Sequence, residues 1–234
     1  TTNSGMPILA SSVTCAKTSW TINPITTGSW NASYDIWFRP SSTCTGTPSG
    51  GTELMIWLNW LGNATPAGEL VASNVSIAGA TWDIWYAAAG SGTGGWSGNW
   101  NYVAYLRTSM TTSVTDLDLK AFFDDLGNHG MTFNTAWYLV DIETGFEPRE
   151  GGAGLASSGF SASVNTNCGT TSNTPTVTRT STIIQSDSHR HENSHFDADV
   201  DPNRDAYLNA DVHTDSHINP IPHDDPHGHP DGYP

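Results

Sequence analysis

The chain is poor in charged residues and has no long apolar run. Only 13% of its 234 residues are charged, and 8 Lys and Arg stand against 23 Asp and Glu, which gives a net charge of −15. Many of the acidic residues lie near the C-terminus, so this charge says little about the partner of the folded part, for which we expect no nucleic acid. No apolar run approaches the ~20 residues of a membrane-spanning helix, so we expect no membrane partner either.

Cysteine is also scarce, and the chain lacks an initiator Met. Cys15 and Cys44 flank a predicted hairpin and are candidates for a disulfide, which leaves Cys168 with a lost or an intermolecular partner. The chain opens with Thr-Thr-Asn-Ser-Gly and carries no signal peptide. We interpret it as a processed form or a fragment.

Residues 1–168 have the pattern of an all-β domain. Short alternating segments, separated by Gly, Ser, Asn and Pro, predict two antiparallel sheets packed as a β-sandwich. One segment has helical periodicity, Thr115 to Asn128, with Thr115 as its N-cap and Gly127 at its end. A glycine-rich run from Gly90 to Gly98 is either a flexible loop or a solvated connector.

Residues 169–234 differ abruptly in composition. Thr170 to Thr182 is rich in Thr and contains Pro175, which predicts an extended linker. From about Ser186 the chain is rich in Asp, His, Pro and Asn, and this composition predicts a disordered C-terminal tail that cannot fold alone. Every His except His129 lies in or near this tail.

Three interpretations of the tail stay open. It is a natural disordered tail, a metal site, or the product of a shifted reading frame. Asp197 to Asp205 spaces oxygen ligands as calcium loops do, but it lacks the Gly that an EF-hand turn requires. We favour the frameshift: with C-ending codons, Asp197 to Ala206 moved by one base encodes a linker of Thr, Pro and Ser. The nucleotide sequence decides between the three.

One glutamate lies where a strand should be half buried. A period of two over eight residues, rich in aromatic and branched side chains, predicts a strand around Glu53. A lone Glu of this kind more often faces solvent, but a second one, Glu147, has a similar aromatic setting. The face of Glu53 also carries Met55, Trp57 and Asn59, and the opposite face carries Leu54, Ile56, Leu58 and Trp60.

Four stretches between residues 3 and 165 form a recognisable series. They are Asn31-Ala-Ser-Tyr-Asp-Ile-Trp-Phe, Glu53-Leu-Met-Ile-Trp-Leu, Thr81-Trp-Asp-Ile-Trp, and Trp137-Tyr-Leu through Gly145-Phe-Glu-Pro with Gly151-Gly-Ala-Gly-Leu. In this order they resemble glycoside hydrolase family 12, the compact endoglucanases and xyloglucanases. The combination of Glu-Leu-Met-Ile-Trp with a later Gly-Phe-Glu-Pro is the specific part of the resemblance.

The resemblance implies a jelly-roll, concanavalin-like sandwich and a retaining mechanism. Retention needs two carboxyls about 5–5.5 Å apart, one that attacks the anomeric carbon and one that protonates the leaving oxygen. By position, Glu53 would be the nucleophile and Glu147 the general acid and then base. Asp35 matches the family's acidic partner of the nucleophile and would orient Glu53 by sharing a proton with it. Without the resemblance, Asp35 could equally be a surface residue near a turn.

The resemblance also implies which side chains bind sugar. It places Trp57, Trp82 and Trp85 on cleft strands, where the flat face of an indole can stack on a glucose ring. Met55 and Asn59 share the predicted face of Glu53. A place in the core is the more frequent alternative for any one Trp, and we expect it for Trp20, Trp30 and Trp137.

The predicted function is that of a secreted, monomeric endo-β-1,4-glucanase without cofactor or metal. Its partner would be cellulose, mixed-linkage glucan or xyloglucan, and secretion is expected because a polysaccharide does not enter cells. The alternative is a β-glucan-binding sandwich without activity, or an inactive fragment. Family members carry further strands before the counterpart of Asn3, and their absence here predicts open sheet edges.

Overall fold

The computed structural model describes residues 5–43, 49–166 and 181–182 of the chain. Within those residues the chain forms eleven strands, one α-helix and two short 3-10 turns. The strands are β1 (Ile8–Leu9), β2 (Ala16–Asn23), β3 (Ser29–Arg39), β4 (Thr52–Leu61), β5 (Glu69–Ile77), β6 (Ala80–Ala87), β7 (Asn101–Arg107), β8 (Ser113–Asp118), β9 (Tyr138–Glu150), β10 (Ala156–Val164) and β11 (Ser181–Thr182), and the helix is α1 (Leu119–Asp125).

The strands form two sheets, which confirms the predicted all-β sandwich. The larger sheet has seven strands in the order β1-β9-β3-β4-β7-β6-β5, and the smaller has four in the order β11-β10-β2-β8. Among the described pairs, β4 and β7 run parallel and the others antiparallel. In the described part of the chain, β1 and β5 are the edges of the larger sheet, and β11 and β8 are the edges of the smaller one.

The core lies between the two sheets and is built by alternation along each strand. Trp20 on β2 meets Tyr34 of β3 edge to face, with ring centroids 5.4 Å apart, and also packs on Phe146 of β9. Both Trp20 and Trp30 are 1% exposed, as predicted for core residues. Because successive side chains of a strand point to opposite faces, the other face of the seven-stranded sheet is free to carry the functional groups.

The helix is shorter than predicted and starts later. It begins after Asp118, whose side chain accepts a hydrogen bond from the backbone N–H of Lys120 at 3.0 Å. The predicted first turn, from Thr115, belongs instead to β8, which pairs with β2. Thr and Val are stiff at χ1 and favour strands, so pairing with an available strand outweighs the helical spacing of the leucines.

Two predictions fall largely outside the described residues. Cys15 is disulfide-bonded, and its Sγ lies 3.9 Å from the carbonyl oxygen of Thr166. Cys44 and Cys168 lie outside the described residues, and so does the tail beyond position 182. The last two residues of the predicted linker, Ser181–Thr182, pair with β10. No helix in the part of the chain that the structure describes is long and apolar enough to cross a bilayer.

Candidate active site

Three adjacent strands of the seven-stranded sheet carry the predicted catalytic carboxyls. Asp35 lies on the central strand β3, Glu53 on β4 and Glu147 on β9. Trp37 of β3 is opposite Glu53, and Asn31 of β3 is opposite Glu147. Opposite residues of paired strands share a face, and positions 31, 35 and 37 share one by alternation. We call this face, turned away from the core, the cleft face.

The predicted alternation around Glu53 is confirmed as far as Leu58. Leu54, Ile56 and Leu58 belong to the core between the sheets. Met55 and Trp57 belong to a second buried cluster, on the cleft face. The Glu53 side chain is nearly buried, with 8% exposure, and its Oε2 accepts a hydrogen bond of 2.6 Å from Nε1 of Trp100.

Glu147 is half buried and bonded to a buried amide. Nδ2 of Asn31, which has no exposed surface, donates to Oε2 of Glu147. Asn31 is itself held by Ser33, whose hydroxyl donates to its Oδ1 at 3.2 Å. The neighbouring Phe146 points into the core, as the alternation predicts. The carboxyl of Glu147 therefore lies on the cleft face in a fixed orientation.

Asp35 is buried between carboxylates, and this governs its protonation. Burial is the main cause that raises its pKa well above the usual value, and the charges of Glu53, Glu143 and Glu147 raise it further. A hydrogen bond with the side chain of Trp37 acts in the opposite direction. The raised pKa favours the protonated form of Asp35, which can donate to a neighbouring carboxylate.

The charges of both glutamates affect the pKa of Tyr102. Its ring belongs to the cleft-face cluster, and its hydroxyl donates to Sδ of Met55 at 3.3 Å. Burial is the main cause that raises its pKa, followed by the charges of Glu147 and then Glu53, while a backbone hydrogen bond with Ala67 and then the charge of Arg149 lower it. Glu53 and Glu147 thus act on the same buried hydroxyl as well as on Asp35, although one strand separates them.

Met55 and Trp57 lie beneath the cleft face rather than on its surface. Met55 is 2% exposed and Trp57 is fully buried. Both are on the predicted side of β4, but the structure leaves Trp57 no open ring face on which a sugar could stack. Both pack in one buried cluster with Tyr102 of β7.

The prediction that Trp82 binds sugar is wrong. Trp82 is fully buried in the core, where its ring meets Phe122 of α1 at 5.0 Å and its Nε1 donates to the carbonyl of Ile77. Trp82 and Trp85 are three residues apart on one strand, so a period of two puts them on opposite faces. Trp85, which is opposite Ala104 of β7, is the one on the cleft face and is partly exposed.

The predicted position of Asn59 is also wrong, because β4 contains a bulge. Ala32 of β3 pairs with Asn59 and the next residue, Ser33, pairs with Trp57, so Leu58 is the extra residue. Beyond the bulge the alternation is reversed. Asn59 stands opposite the core residue Ala32 and donates to the carbonyl of Thr111 at 3.2 Å, while Trp60 turns to the cleft-face cluster.

Comparison with known proteins identifies the family. The model of glycosyl hydrolase family 12 matches residues 2–165. The chain belongs to glycosyl hydrolase family 12. Its jelly-roll sandwich is also that of the endoglucanase cel12A from Rhodothermus marinus, with a TM-score of 0.63 and 53% identity over 70% of this chain and 67% of that chain.

Two curated family 12 relatives differ in how much of their length is matched. The probable cellulase Cel12b of Mycobacterium tuberculosis is 34% identical over 163 residues, which are 68% of this chain and 97% of that protein. Endoglucanase S of Pectobacterium parmentieri is 33% identical over 147 residues, 63% of this chain and 53% of that protein. The chain thus spans about half the length of endoglucanase S.

Several cleft-face residues of this family 12 chain were not predicted. Glu143 lies opposite Asp35, four residues before Glu147, and its face follows from the alternation alone. Trp100, by contrast, reaches Glu53 from the residue before β7, which no local pattern indicates. Among the described residues, no group of three or more His, Cys, Asp or Glu side chains is placed to hold a metal ion.

We expect Asp35→Asn to stabilise the protein at neutral pH. The folded-state pKa of Asp35 is raised, so the wild type loses stability as pH rises from the unfolded pKa of about 3.9 to the folded one. Asparagine cannot ionise and avoids this loss. At pH 7 thermal unfolding should shift upward by at least roughly 2–4 °C, the effect of 1 kcal/mol in a domain of this size.

The comparison at low pH is the control for this prediction. As pH falls towards the unfolded pKa of about 3.9, less Asp35 is ionised in the unfolded chain, so the difference between the variant and the wild type should shrink. A difference that is the same at pH 4 and pH 7 would contradict the assigned protonation, because it would come from packing alone.

Proposed function

We propose that this chain is a secreted, retaining endo-β-1,4-glucanase that cleaves internal bonds of a cellulose-type glucan. Glu53 is the proposed nucleophile and Glu147 the proposed general acid and base. Family membership supports this substrate class, since the relatives described above are named as endoglucanases or as a probable cellulase.

One observation carries the proposal: the charges of Glu53 and Glu147 both raise the pKa of Asp35 and of Tyr102. Coulomb interactions of this kind need short separations, because water and salt screen distant charges. Two carboxyls that act on the same two buried groups, from strands on either side of β3, support a retaining mechanism, in which both carboxyls must reach one glycosidic bond.

The proposed reaction has two steps. In the first, an oxygen of Glu53 attacks the anomeric carbon while Glu147 gives its proton to the leaving oxygen, which produces a covalent glycosyl-enzyme. In the second, Glu147 takes a proton from water as the water oxygen attacks the anomeric carbon, which breaks the ester bond to Glu53 and releases the sugar with retained configuration. The amide of Asn31, which donates to Glu147, holds this carboxyl in place during both steps.

Asp35 has a supporting role in this mechanism. Its raised pKa favours the protonated form, which provides a proton beside Glu53. Sharing that proton orients the nucleophile and lowers the cost of placing several carboxyls in one cleft. The partly exposed indoles of Trp37, Trp60 and Trp85 lie on the same face, and they support binding of flat sugar rings there.

Secretion is part of the proposal, and one structural feature supports it. Cys15 is disulfide-bonded, and disulfides persist mainly in secreted proteins and oxidising compartments. A cell-external enzyme also meets its substrate directly, since glucan polymers do not cross membranes.

Reducing-sugar release tests the proposed function. The purified 234-residue chain should release reducing ends from carboxymethyl-cellulose, barley β-glucan or xyloglucan, with a rapid fall in viscosity that indicates internal cleavage. Proton NMR of the first products should show the β-anomer. A folded chain that binds glucan without releasing sugar would instead support the binding module, and an α-anomer as first product would refute retention.

A further inference from the structure

Trp100 contacts the proposed nucleophile from outside the three catalytic strands. Its Nε1 donates to Oε2 of Glu53 at 2.6 Å, and the residue is 8% exposed. We propose that Trp100 is a positioning residue, which holds Oε2 so that Glu53 stays ionised and presents its other oxygen to the anomeric carbon. This inference rests on the proposed function, because it assigns Trp100 to the reaction of Glu53.

The backbone fixes Trp100 beside Glu53 through the parallel pair of β4 and β7. Thr52 pairs with Asn101, and Glu53 pairs with Tyr102. Both the backbone N–H and the side-chain amide of Asn101 donate to the carbonyl of Gly51 at 3.0 Å. Gly51 has φ of +88°, and a Cβ there would meet the carbonyl oxygen of Phe38 at 2.1 Å. The connection before β4 therefore packs closely against the backbone of β3, and the start of β7 is hydrogen-bonded to that connection.

Two other indoles hold the ring of Trp100. Trp37 packs at 5.4 Å and Trp96 at 5.2 Å, the latter edge to face at 84°. Nε1 of Trp96 donates to the backbone carbonyl of Trp100 at 2.9 Å. An indole packed against two other rings loses little further freedom when it bonds a carboxylate, so the hydrogen bond keeps most of its strength.

The glycine-rich run provides Trp96 and therefore belongs to this arrangement. The backbone N–H of Gly90 donates to the carbonyl of Gly98, and that of Gly92 to the carbonyl of Trp96, so residues 90–98 form a closed loop. A Cβ on Gly98 would meet the ring of Trp96 at 2.4 Å, so glycine there lets the ring fold back over the chain. This run is a support for Trp100 rather than a free connector.

A donor of this kind has a defined chemical effect. A hydrogen bond to the charged form of a carboxyl favours that form and lowers its pKa. Bonds to charged groups are about twice as strong as neutral ones. The neighbouring carboxyls on the cleft face work against ionisation of Glu53, and the indole N–H offsets part of their repulsion.

Trp100→Phe tests this role, because phenylalanine keeps a ring between Trp37 and Trp96 but has no N–H. We expect the acid limb of the pH profile of kcat/KM to move up by about one unit and kcat to fall about 10- to 100-fold, with KM little changed. The titration of Glu53, followed by ¹³C NMR of labelled glutamate carboxyls and assigned with Glu53→Gln, should show the same upward shift without substrate.

Trp20→Phe is the matched control. Trp20 is also a buried indole, 1% exposed, and its Nε1 donates to the hydroxyl of Ser157 at 2.7 Å, but it lies between the sheets. This variant should unfold at a lower temperature and leave the Glu53 midpoint unchanged. An unchanged midpoint in Trp100→Phe, or an equal shift in both variants, would overturn the proposal.

The NMR titration separates failure of this inference from failure of the proposed function. A wild type that releases no sugar refutes the hydrolase, whereas the Glu53 midpoint still tests the contact. If Trp100→Phe does not fold, one indole N–H signal of ¹⁵N-labelled wild type should titrate together with Glu53 and stop titrating in Glu53→Gln. Absence of such a signal would overturn the role of Trp100.

Discussion

Replacing Glu53 by glutamine is expected to lower kcat for glucan hydrolysis by about 10⁴-fold or more, with binding retained. Glutamine matches glutamate in size, and its carbonyl oxygen can still accept the hydrogen bond from Trp100. The amide is a poor nucleophile and cannot form the glycosyl ester, so the first step fails while the cleft keeps its shape. Reducing-sugar release measures the loss, and calorimetric titration with a cello-oligosaccharide measures the binding.

Glu69→Gln is the control for charge. Glu69 is exposed on the edge strand β5, so its replacement removes one carboxylate without touching the cleft face. Its activity should match that of the wild type. Activity of Glu53→Gln close to that of the control would contradict the role of Glu53, and so would a loss of glucan binding in proportion to the loss of activity.

Azide rescue of alanine variants separates the roles of the two glutamates. With an activated aryl β-glycoside, Glu53→Ala leaves room for azide to attack the anomeric carbon directly, which gives the α-glycosyl azide. In Glu147→Ala the glycosyl-enzyme still forms on Glu53, and azide then opens it to the β-glycosyl azide. The reverse pairing of variants and products would exchange the two assignments.

Period-two alternation was enough to predict the central part of the site. It predicted that Glu53 and Met55 share one face of β4 while Leu54 and Ile56 pack inward, and the structure confirms both faces. This succeeds because the core must be buried, and a slip of one residue would expose every apolar side chain of the strand. The family resemblance added the roles, which alternation does not contain.

The errors come from features that the local pattern does not carry. The bulge at Leu58 is decided by pairing with β3 and reverses the faces of Asn59 and Trp60. The contact between Trp100 and Glu53, which are 47 residues apart in sequence, depends on the parallel pairing of β4 and β7. Such non-local pairings leave no periodic signal, so only the folded chain reveals them.

The error at Trp82 was avoidable, because alternation alone places Trp82 and Trp85 on opposite faces of β6. The buried position of Trp82 predicts a large loss of stability when it is replaced. Trp82 fills the core against α1, whereas Trp85 faces the cleft. Trp82→Ala should therefore lower the free energy of unfolding by about 3–5 kcal/mol, the usual cost of removing a buried Trp. Trp85→Ala should change that free energy far less, because its ring is only partly buried.

Glucan affinity should show the opposite order for replacements at the two positions, with Trp82→Phe used here because it disturbs the core less than Trp82→Ala. Trp85→Ala removes a ring face from the cleft and should weaken binding by about tenfold, equivalent to about 1.4 kcal/mol. Trp82→Phe keeps most of the core volume, loses the hydrogen bond to the carbonyl of Ile77, and should bind glucan like the wild type. Urea unfolding and calorimetric titration give the two quantities for each variant. If Trp82→Phe weakens binding more than Trp85→Ala does, Trp82 reaches the substrate after all, and the two faces of β6 are assigned the wrong way round.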